Sequence, residues 1–432
     1  MMFGLLDSRR ALAIAFGVRL LWLAIFLAWS PWARVSDVGF YQHLVEQTDA
    51  GHYPFLDFWL EYPPVFPWLA VGIHKLLGPL ATGGFVWAFA LVMSAVEFGN
   101  LGLVFVLARR AQGAFLAQRA SLLYALCPLP VWYALGWFDP LAVLTMLLSV
   151  LLLVTGRAVG AGVAVGVGVL VKVSPGMLVL AAPLALGWRG AVRFGLAAVV
   201  AVALLLSPFL LTRPDLLDGL VGSLLTRPPW ETLPALALRI YVPGILVPIE
   251  DRYTAATAWQ PTGAWAWIAL IPQLAMLLVA LWAAWWLTRV GRSDPWRVCL
   301  LSALCISSFL LGGKGFSPQF VVWLLPWLAI MWPNRVGATY LALFTLHTLL
   351  YYLFVLPTID RYVLHQVSVQ QVASVAWASV LVRTLLLVVV VGHLCRLVYR
   401  AGGSTLDQRG RTSAGSSTMV GSAVVSSVPG AR

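Results

Sequence analysis

The chain has 432 residues, 61% of them hydrophobic and 10% charged, with a mean hydropathy of +0.89. Soluble domains carry about a quarter of their residues as charge, so this composition excludes a soluble enzyme and points to one polytopic membrane protein. The net charge of +12 then reads as a positive-inside bias, not as a nucleic-acid footprint.

A membrane span needs roughly 20 apolar residues. The first run, 10–29, follows Ser8-Arg9-Arg10. Its length, with Trp22 and Trp29 near its end, fits an uncleaved span better than a signal peptide. Further runs lie at about 84–108, 115–135, 139–156, 158–172, 175–188, 194–211, 264–288, 297–312, 319–333, 336–356 and 371–395. The predicted fold is therefore all-α, a transmembrane helical bundle of about 11–13 spans. The runs at 158–172 and 175–188 are short and interrupted by Gly and Pro, a pattern tolerated where a segment lines a cavity or packs on protein.

Charge sorts by side. Arg9, Arg10, Arg109, Arg110, Arg119, Arg157, Arg189, Arg193, Arg289, Arg292, Arg297, Arg335, Arg396 and Arg400 fall in alternate loops, assigned here to the cytoplasm. Twelve of the sixteen acids fall in the other loops, among them Asp37, Asp57, Glu61, Asp139, Glu231 and Asp360. Both termini are then cytoplasmic. Two external loops are long, about 30–83 and 212–263, and loops of that length in a compact protein usually have a function.

Within the first loop, SDVGFYQHLVEQTDAG reads as a short amphipathic helix ended by Gly51. Pro63-Pro64 then opens a surface helix over 63–78, because Pro in a first turn lacks only an N–H that has no helical partner. Residues 1–401 form the membrane domain, and the Gly-, Ser- and Thr-rich tail 402–432 is expected to be disordered.

Several residues admit two readings. Asp37 follows the first span and is either the N-cap of the helix starting near Val38 or a general base at the membrane surface. Asp57 and Glu61 are either solvated loop acids favoured by the next helix N-terminus or carboxylates that orient substrate. Lys172 in VLVKVSPG and Lys314 in GGKGFSPQF are two of only three Lys in the chain, the other being Lys75. Each stands at the outer end of a span, either snorkelling or holding an anionic phosphate.

Arg227 and Arg239 could serve the same anion, or pair on the surface with Asp218 or Glu231. Arg19 with Glu97 reads as a buried pair holding the first two spans together, and Arg383 is a third charge inside a span. Trp59, Trp137 and Trp230 could stack on a sugar. The four Cys and six His show no ligand spacing, and no Asp-x-Asp occurs, so no metal or other cofactor is implied.

The segment SDVGFYQHLVEQTDAGHYPFLDFWLEYPPVFPWL resembles the first external loop of the multi-span GT-C glycosyltransferases, in the bacterial group around glycosyltransferase family 87. That group includes polyprenyl-phosphomannose-dependent mannosyltransferases. The resemblance rests on Asp37, Tyr41 and Tyr62-Pro63-Pro64; on VKVSP with Lys172; on RPPWETLPALAL with Arg227 and Glu231; and on KGFSPQFVVWLLP with Lys314, Gln319, Trp323 and Pro326. Where the mannosyltransferase branch carries a His pair after Ser-Pro, this chain has Gln319-Phe320.

The resemblance implies a GT-C-like bundle in the cytoplasmic membrane of a bacterium, with an active site on the extracytoplasmic face. It implies inverting transfer of a sugar, mannose first, from a polyprenyl-phosphate donor to an envelope lipid or glycan. Asp37 would be the base; Tyr41, Glu61 and Tyr62 would shape the acceptor side; Lys172, Lys314, Arg227 and Gln319 would hold the donor phosphate. The alternative is a transporter or lipid flippase without transfer chemistry, for which charges near mid-membrane, such as Arg19, Glu97 and Arg383, are the relevant features.

Overall fold

A computed structural model describes residues 8–33, 35–80, 84–215, 228–240, 253, 269–290 and 294–416, the last fifteen of these as backbone only. Among them there are helices and two isolated bridge pairs, with no strand ladder. In chain order the helices are α1 Ser8–Ala28, α2 Val38–Asp49, α3 Val65–Leu76, α4 Gly84–Gln112, α5 Ala114–Leu126, α6 Leu129–Gly136, α7 Asp139–Val154 and α8 Ala158–Val169. They continue with α9 Ala182–Thr212, α10 Leu233–Ala237, α11 Leu270–Arg289, α12 Pro295–Gly312, α13 Leu325–Met331, α14 Arg335–Leu350, α15 Leu356–Val363 and α16 Val369–Ser416.

Seven helical stretches are long and apolar enough to cross a membrane, or eight if α5 and α6, bent by 54° across Cys127-Pro128, count as one. The runs read as spans at 139–156, 158–172 and 319–333 are shorter helices, and those at 175–188 and 194–211 merge into one helical stretch, 174–212. That stretch is not straight, because breakers stand within it: Ser174–Ala181, with Pro175 in its first turn, winds as a 3₁₀ helix, and the backbone leaves helical angles at a kink at Gly187, with φ at 66°. The last helix runs on to Ser416, past the boundary at 402 drawn from composition.

Two features of the packing position the site. On α8, a Cβ at Gly162 or Gly166 would lie 2.2 Å from the Phe194 carbonyl oxygen or 2.6 Å from that of Ala198. The bare glycines let α8 and α9 meet backbone to backbone, the small-residue packing expected of membrane helices. The end of α8 is thereby held where Leu170 O accepts from Val65 N at 3.0 Å, which ties the Pro63-Pro64 turn and α3 to the segment carrying Lys172.

Beneath that tie lies an aromatic layer. Phe66 and Phe138 stack at 3.7 Å, and Tyr41 meets Phe66 edge-on at 4.7 Å. All three rings are fully buried. As anticipated, α2 ends before Gly51, at φ 87°, and α3 begins directly after Pro64.

Deeper in the bundle, α1, α4 and α5 are joined by polar side chains. Arg19 Nη2 lies 3.3 Å from Glu97 Oε1, and the guanidinium donates to the carbonyls of Tyr124 at 2.6 Å and Cys127 at 2.9 Å. Asn100 and the Tyr124 hydroxyl donate to Glu97 Oε2 at 3.1 and 3.2 Å. Arg19 and Glu97 are thus held by each other and by fixed neighbours, as expected of a pair that fastens helices together.

Candidate active site

Asp37 stands in the first turn before α2, yet its side chain makes no capping bond to the helix. Ser36 Oγ instead faces the Val38 amide at 3.4 Å. The Asp37 carboxylate is turned toward Tyr41, whose hydroxyl donates to Oδ2 at 3.4 Å. Burial, with Tyr62 and Asp37 close by, pushes the Tyr41 hydroxyl well above the ordinary phenol range. It therefore stays protonated and remains a donor to Asp37.

One cavity of about 230 Å3 gathers residues from distant parts of the chain. Its lining includes Asp37, Glu61, Tyr62, Lys172 and Gln319, five of the eight site residues read from the sequence. Tyr41 lies directly behind, in contact with Asp37 and with the Tyr62 ring at 6.1 Å. Trp137 and Trp230 are also in the wall, available for stacking on a sugar, whereas Trp59 is buried away from it.

Lys172 is caged. Its ammonium lies 3.1 Å from Asp139 Oδ1, over the rings of Phe138 at 4.5 Å and Phe320 at 4.7 Å, with Trp323 and Tyr62 farther out at 5.5 and 5.9 Å. Trp323 Nε1 donates to the same Asp139 oxygen at 2.9 Å. Asp139 is fully buried at the first turn of α7. Carboxylate and aromatic faces both stabilise a cation taken from water. They hold the ammonium at the cavity wall, so Lys172 is no free-ranging snorkel.

The second loop meets the Ser-Pro segment directly. Trp230 pairs with Gly315 as an isolated bridge, Phe316 N donates to Trp230 O at 3.1 Å, and Trp230 Nε1 donates to Ser317 Oγ at 3.1 Å. Glu231 follows in a left-handed conformation with φ at 47°. A non-glycine residue there costs on the order of 1 kcal/mol or more and needs external support. Arg383 supplies it, donating to the Glu231 carbonyl oxygen and pairing with its carboxylate at 3.4 Å, while Tyr351 donates to Oε1 at 2.8 Å.

Other expectations come out differently. Lys314 is buried in the strip beside the cavity but is not part of its lining. Asp57 does not line it either; Oδ2 accepts from Tyr53 N at 2.7 Å, closing a local turn. Arg239 lies outside the lining, and Arg227 falls outside the described residues.

Sequence reasoning missed Asp139 as the partner of Lys172, Arg383 as the brace of Glu231, and the tyrosines of the Tyr351–Val355 π-turn, of which Tyr351 and Tyr352 both reach the cavity. A signal for the last exists: Pro357 cannot donate to a carbonyl one turn back, and π-turns gather at functional sites.

Gly136 fixes the approach of the Asp37 segment. A Cβ there would fall 2.2 Å from Ser36 Cβ and 2.4 Å from its Oγ. Gly136→Ala must therefore push Ser36 and its neighbour Asp37 aside. Turnover of a reaction at Asp37 is expected to fall about 10²-fold, the scale of a misplacement near 1 Å, while the unfolding temperature drops only slightly. Assay of the variant beside a thermal melt checks both.

The sequence profile of glycosyltransferase family 87 matches residues 59–312, more than half of the 432-residue chain. Among solved structures the chain is similar to ArnT from Cupriavidus metallidurans, crystallised with undecaprenyl phosphate, at a TM-score of 0.47 and 17% identity over 89% of this chain and 76% of that one. No curated protein matches the sequence.

Proposed function

The chain belongs to glycosyltransferase family 87, and from that premise we propose that it moves a sugar, mannose first, from a polyprenyl-phosphate donor to an envelope lipid or glycan. The observation that carries this reading is the single cavity that unites Asp37, Glu61, Tyr62, Lys172 and Gln319. A carboxylate and a lysine face the same small space from two different segments, the arrangement an acceptor hydroxyl and a lipid-linked phosphate would need.

The chemistry follows from those groups. Asp37 takes the proton of the acceptor hydroxyl as its oxygen attacks the anomeric carbon from the face opposite the phosphate. The new C–O bond forms as the bond from the anomeric carbon to the phosphate oxygen breaks, so the configuration inverts. The electron pair leaves with the polyprenyl phosphate. That leaving group gains negative charge as it departs and needs nearby cations, not a general acid. Lys172, held at the wall by Asp139, is suited to that task, with Lys314 and Arg227 assigned to the same phosphate. Tyr41 keeps Asp37 oriented, and Glu61 and Tyr62 shape the acceptor side.

The side of the membrane follows from charge. Arg9 and Arg10 stand at the far end of α1 from Asp37, and Arg157 separates α7 from α8 at the end away from Asp139 and Lys172. The positive-inside rule puts those arginines in the cytoplasm and the cavity on the outer face.

Purified protein in lipid vesicles, given polyprenyl-phosphate donors carrying different radiolabelled sugars and a crude envelope-lipid acceptor, is expected to transfer mannose with the highest kcat/KM. Transfer of another sugar alone would replace mannose and keep the class. Failure with every donor, in protein shown to be folded, would end the transferase reading and favour transport.

A further inference from the structure

One stretch of the cavity wall has no part in the transfer chemistry above. Tyr351, Tyr352, Leu356, Ile359 and Asp360 all line the cavity, from the continuous segment formed by the Tyr351–Val355 π-turn and α15. Leu356, Ile359 and Asp360 stand at i, i+3 and i+4, so they share one face of α15. The segment is fixed at several points. The Tyr351 hydroxyl donates to Glu231 Oε1 at 2.8 Å, and Ile359 joins Tyr351, Val355 and Val372 in a small buried cluster. The Tyr352 ring meets Trp132 of α6 at 5.9 Å and Trp137, just past that helix, at 6.4 Å.

Asp360 is the member that packing does not explain. After Leu356 and Ile359, a third apolar residue would complete the face, and a carboxylate close to the hydrocarbon region is costly unless it has a task. No structural task is visible. Among the described residues no hydrogen bond or ion pair reaches its carboxylate, and the adjacent Arg361 is no exception. Ile359 is buried whereas Asp360 is exposed, so the carboxylate stands at the open edge of the cavity. Two other charges of the lining are matched from behind the wall: Glu231 by Arg383 at 3.4 Å, and Lys172 by Asp139 at 3.1 Å.

Resting on the transferase reading above, we propose that Asp360 is a specificity-determining residue for the acceptor: it accepts hydrogen bonds from an uncharged sugar ring and turns away acceptors that carry an anionic group on that ring. The side of the cavity follows from charge. A carboxylate beside the donor phosphate would repel it, so Asp360 belongs away from Lys172 and Gln319 and with the acceptor. Ionised, it is an acceptor only, with two oxygens that neighbouring hydroxyls can share. The rings of Tyr352 and Trp137 offer apolar faces with polar tips, which suit the carbon face of a sugar. A carboxylate or phosphate on the same ring would lose its hydration and meet a like charge, and repulsion of that kind selects among partners of similar shape.

The test compares matched probes and does not depend on turnover. Methyl hexosides of gluco, galacto and manno configuration are each paired with the methyl hexuronide that carries a carboxylate in place of the ring's hydroxymethyl group. Binding to the full-length protein in nanodiscs is read by saturation-transfer NMR. At least one hexoside is expected to bind, with its hexuronide weaker by about tenfold, a ratio within the range for two unit charges a few ångströms apart near a protein surface. Asp360→Asn, at an exposed position where the fold should not suffer, is expected to bring the pair within about threefold by strengthening the hexuronide. Asp360→Glu keeps the charge and should keep the discrimination. Where transfer is measured, the donor KM should be unchanged in both variants.

The same discrimination in wild type and Asp360→Asn would overturn the proposal, as would a failure of every hexoside to bind folded protein. A raised donor KM in Asp360→Asn would move the residue to the donor side and overturn it too. Discriminating binding that depends on Asp360, in a protein that transfers no sugar, would sink the transferase reading and leave the sugar-selecting role standing. Transfer with no dependence on Asp360 would do the reverse.

Discussion

Asp37→Asn is expected to lower kcat for sugar transfer by about 10²–10⁴-fold, the range for removal of a positioned general base. The change is one of charge and basicity with little change of shape. Asn keeps an oxygen that can accept from the Tyr41 hydroxyl, now 3.4 Å from Asp37 Oδ2, and the Val38 amide is met by Ser36 and not by Asp37. The helix start, the fold and the donor KM should therefore survive. The measurement is single-turnover transfer by the purified variant beside its thermal melt. A kcat within a few-fold of wild type would remove Asp37 from the chemistry and turn attention to Glu61, the carboxylate that lines the same cavity from the Tyr62-Pro63-Pro64 side.

Arg19→Met is expected to cost about 3–5 kcal/mol of stability, the penalty for leaving a buried charge without its partner. Arg19 is fully buried and Glu97 is 2% exposed. Removing the guanidinium strands the Glu97 carboxylate and also the carbonyls of Tyr124 and Cys127 that it bridges. Adding Glu97→Gln should recover most of the loss, because a neutral amide can still accept from Asn100 and Tyr124. Denaturant or thermal unfolding in detergent, run as a double-mutant cycle, reads the coupling. A single-variant loss below about 1 kcal/mol, or a double variant as unstable as the single, would show that the pair does not hold the helices. Transfer by the double variant once folded separates this fastening role from a relay, which the transporter alternative needs.

Much of the site was readable in order along the chain and unreadable in partnership. Asp37, Glu61 and Lys172 stand out because an ionisable residue beside a membrane-length apolar run is costly and so conspicuous, whereas Tyr62 and Gln319 were marked only by the resemblance to the family's motifs. Asp139 was counted among the outer acids, but its identity as the anchor of Lys172 depends on α7 and α8 returning to the same end of the bundle. Lys314 was read from the same kind of signal as Lys172. The bridge between Trp230 and Gly315 places it within a wall and not on the cavity surface.

Arg383 looked like an isolated charge deep in a span. Only the fold brings it under Glu231, 152 residues earlier, where it braces a backbone conformation that an isolated chain would avoid. The boundaries of the spans were less legible for a related reason. Hydropathy reports how apolar a stretch is, whereas Pro175, Gly187 and the bend at Cys127-Pro128 decide how far a helix runs straight.

By itself the sequence determined that this is a helical membrane protein, which ends of its segments carry arginine and which carry acid, and which motifs stand in family order. Those properties are local: transfer of apolar side chains from water, the cost of a charge in hydrocarbon, and turn chemistry each depend on a few neighbouring residues. The tertiary structure alone decided which of the conspicuous residues share one cavity, which cation is caged and by what, and which arginine braces Glu231. Those depend on contacts between segments well separated in the chain, 33 residues for Lys172 with Asp139 and 152 for Arg383 with Glu231, which no short stretch of sequence encodes.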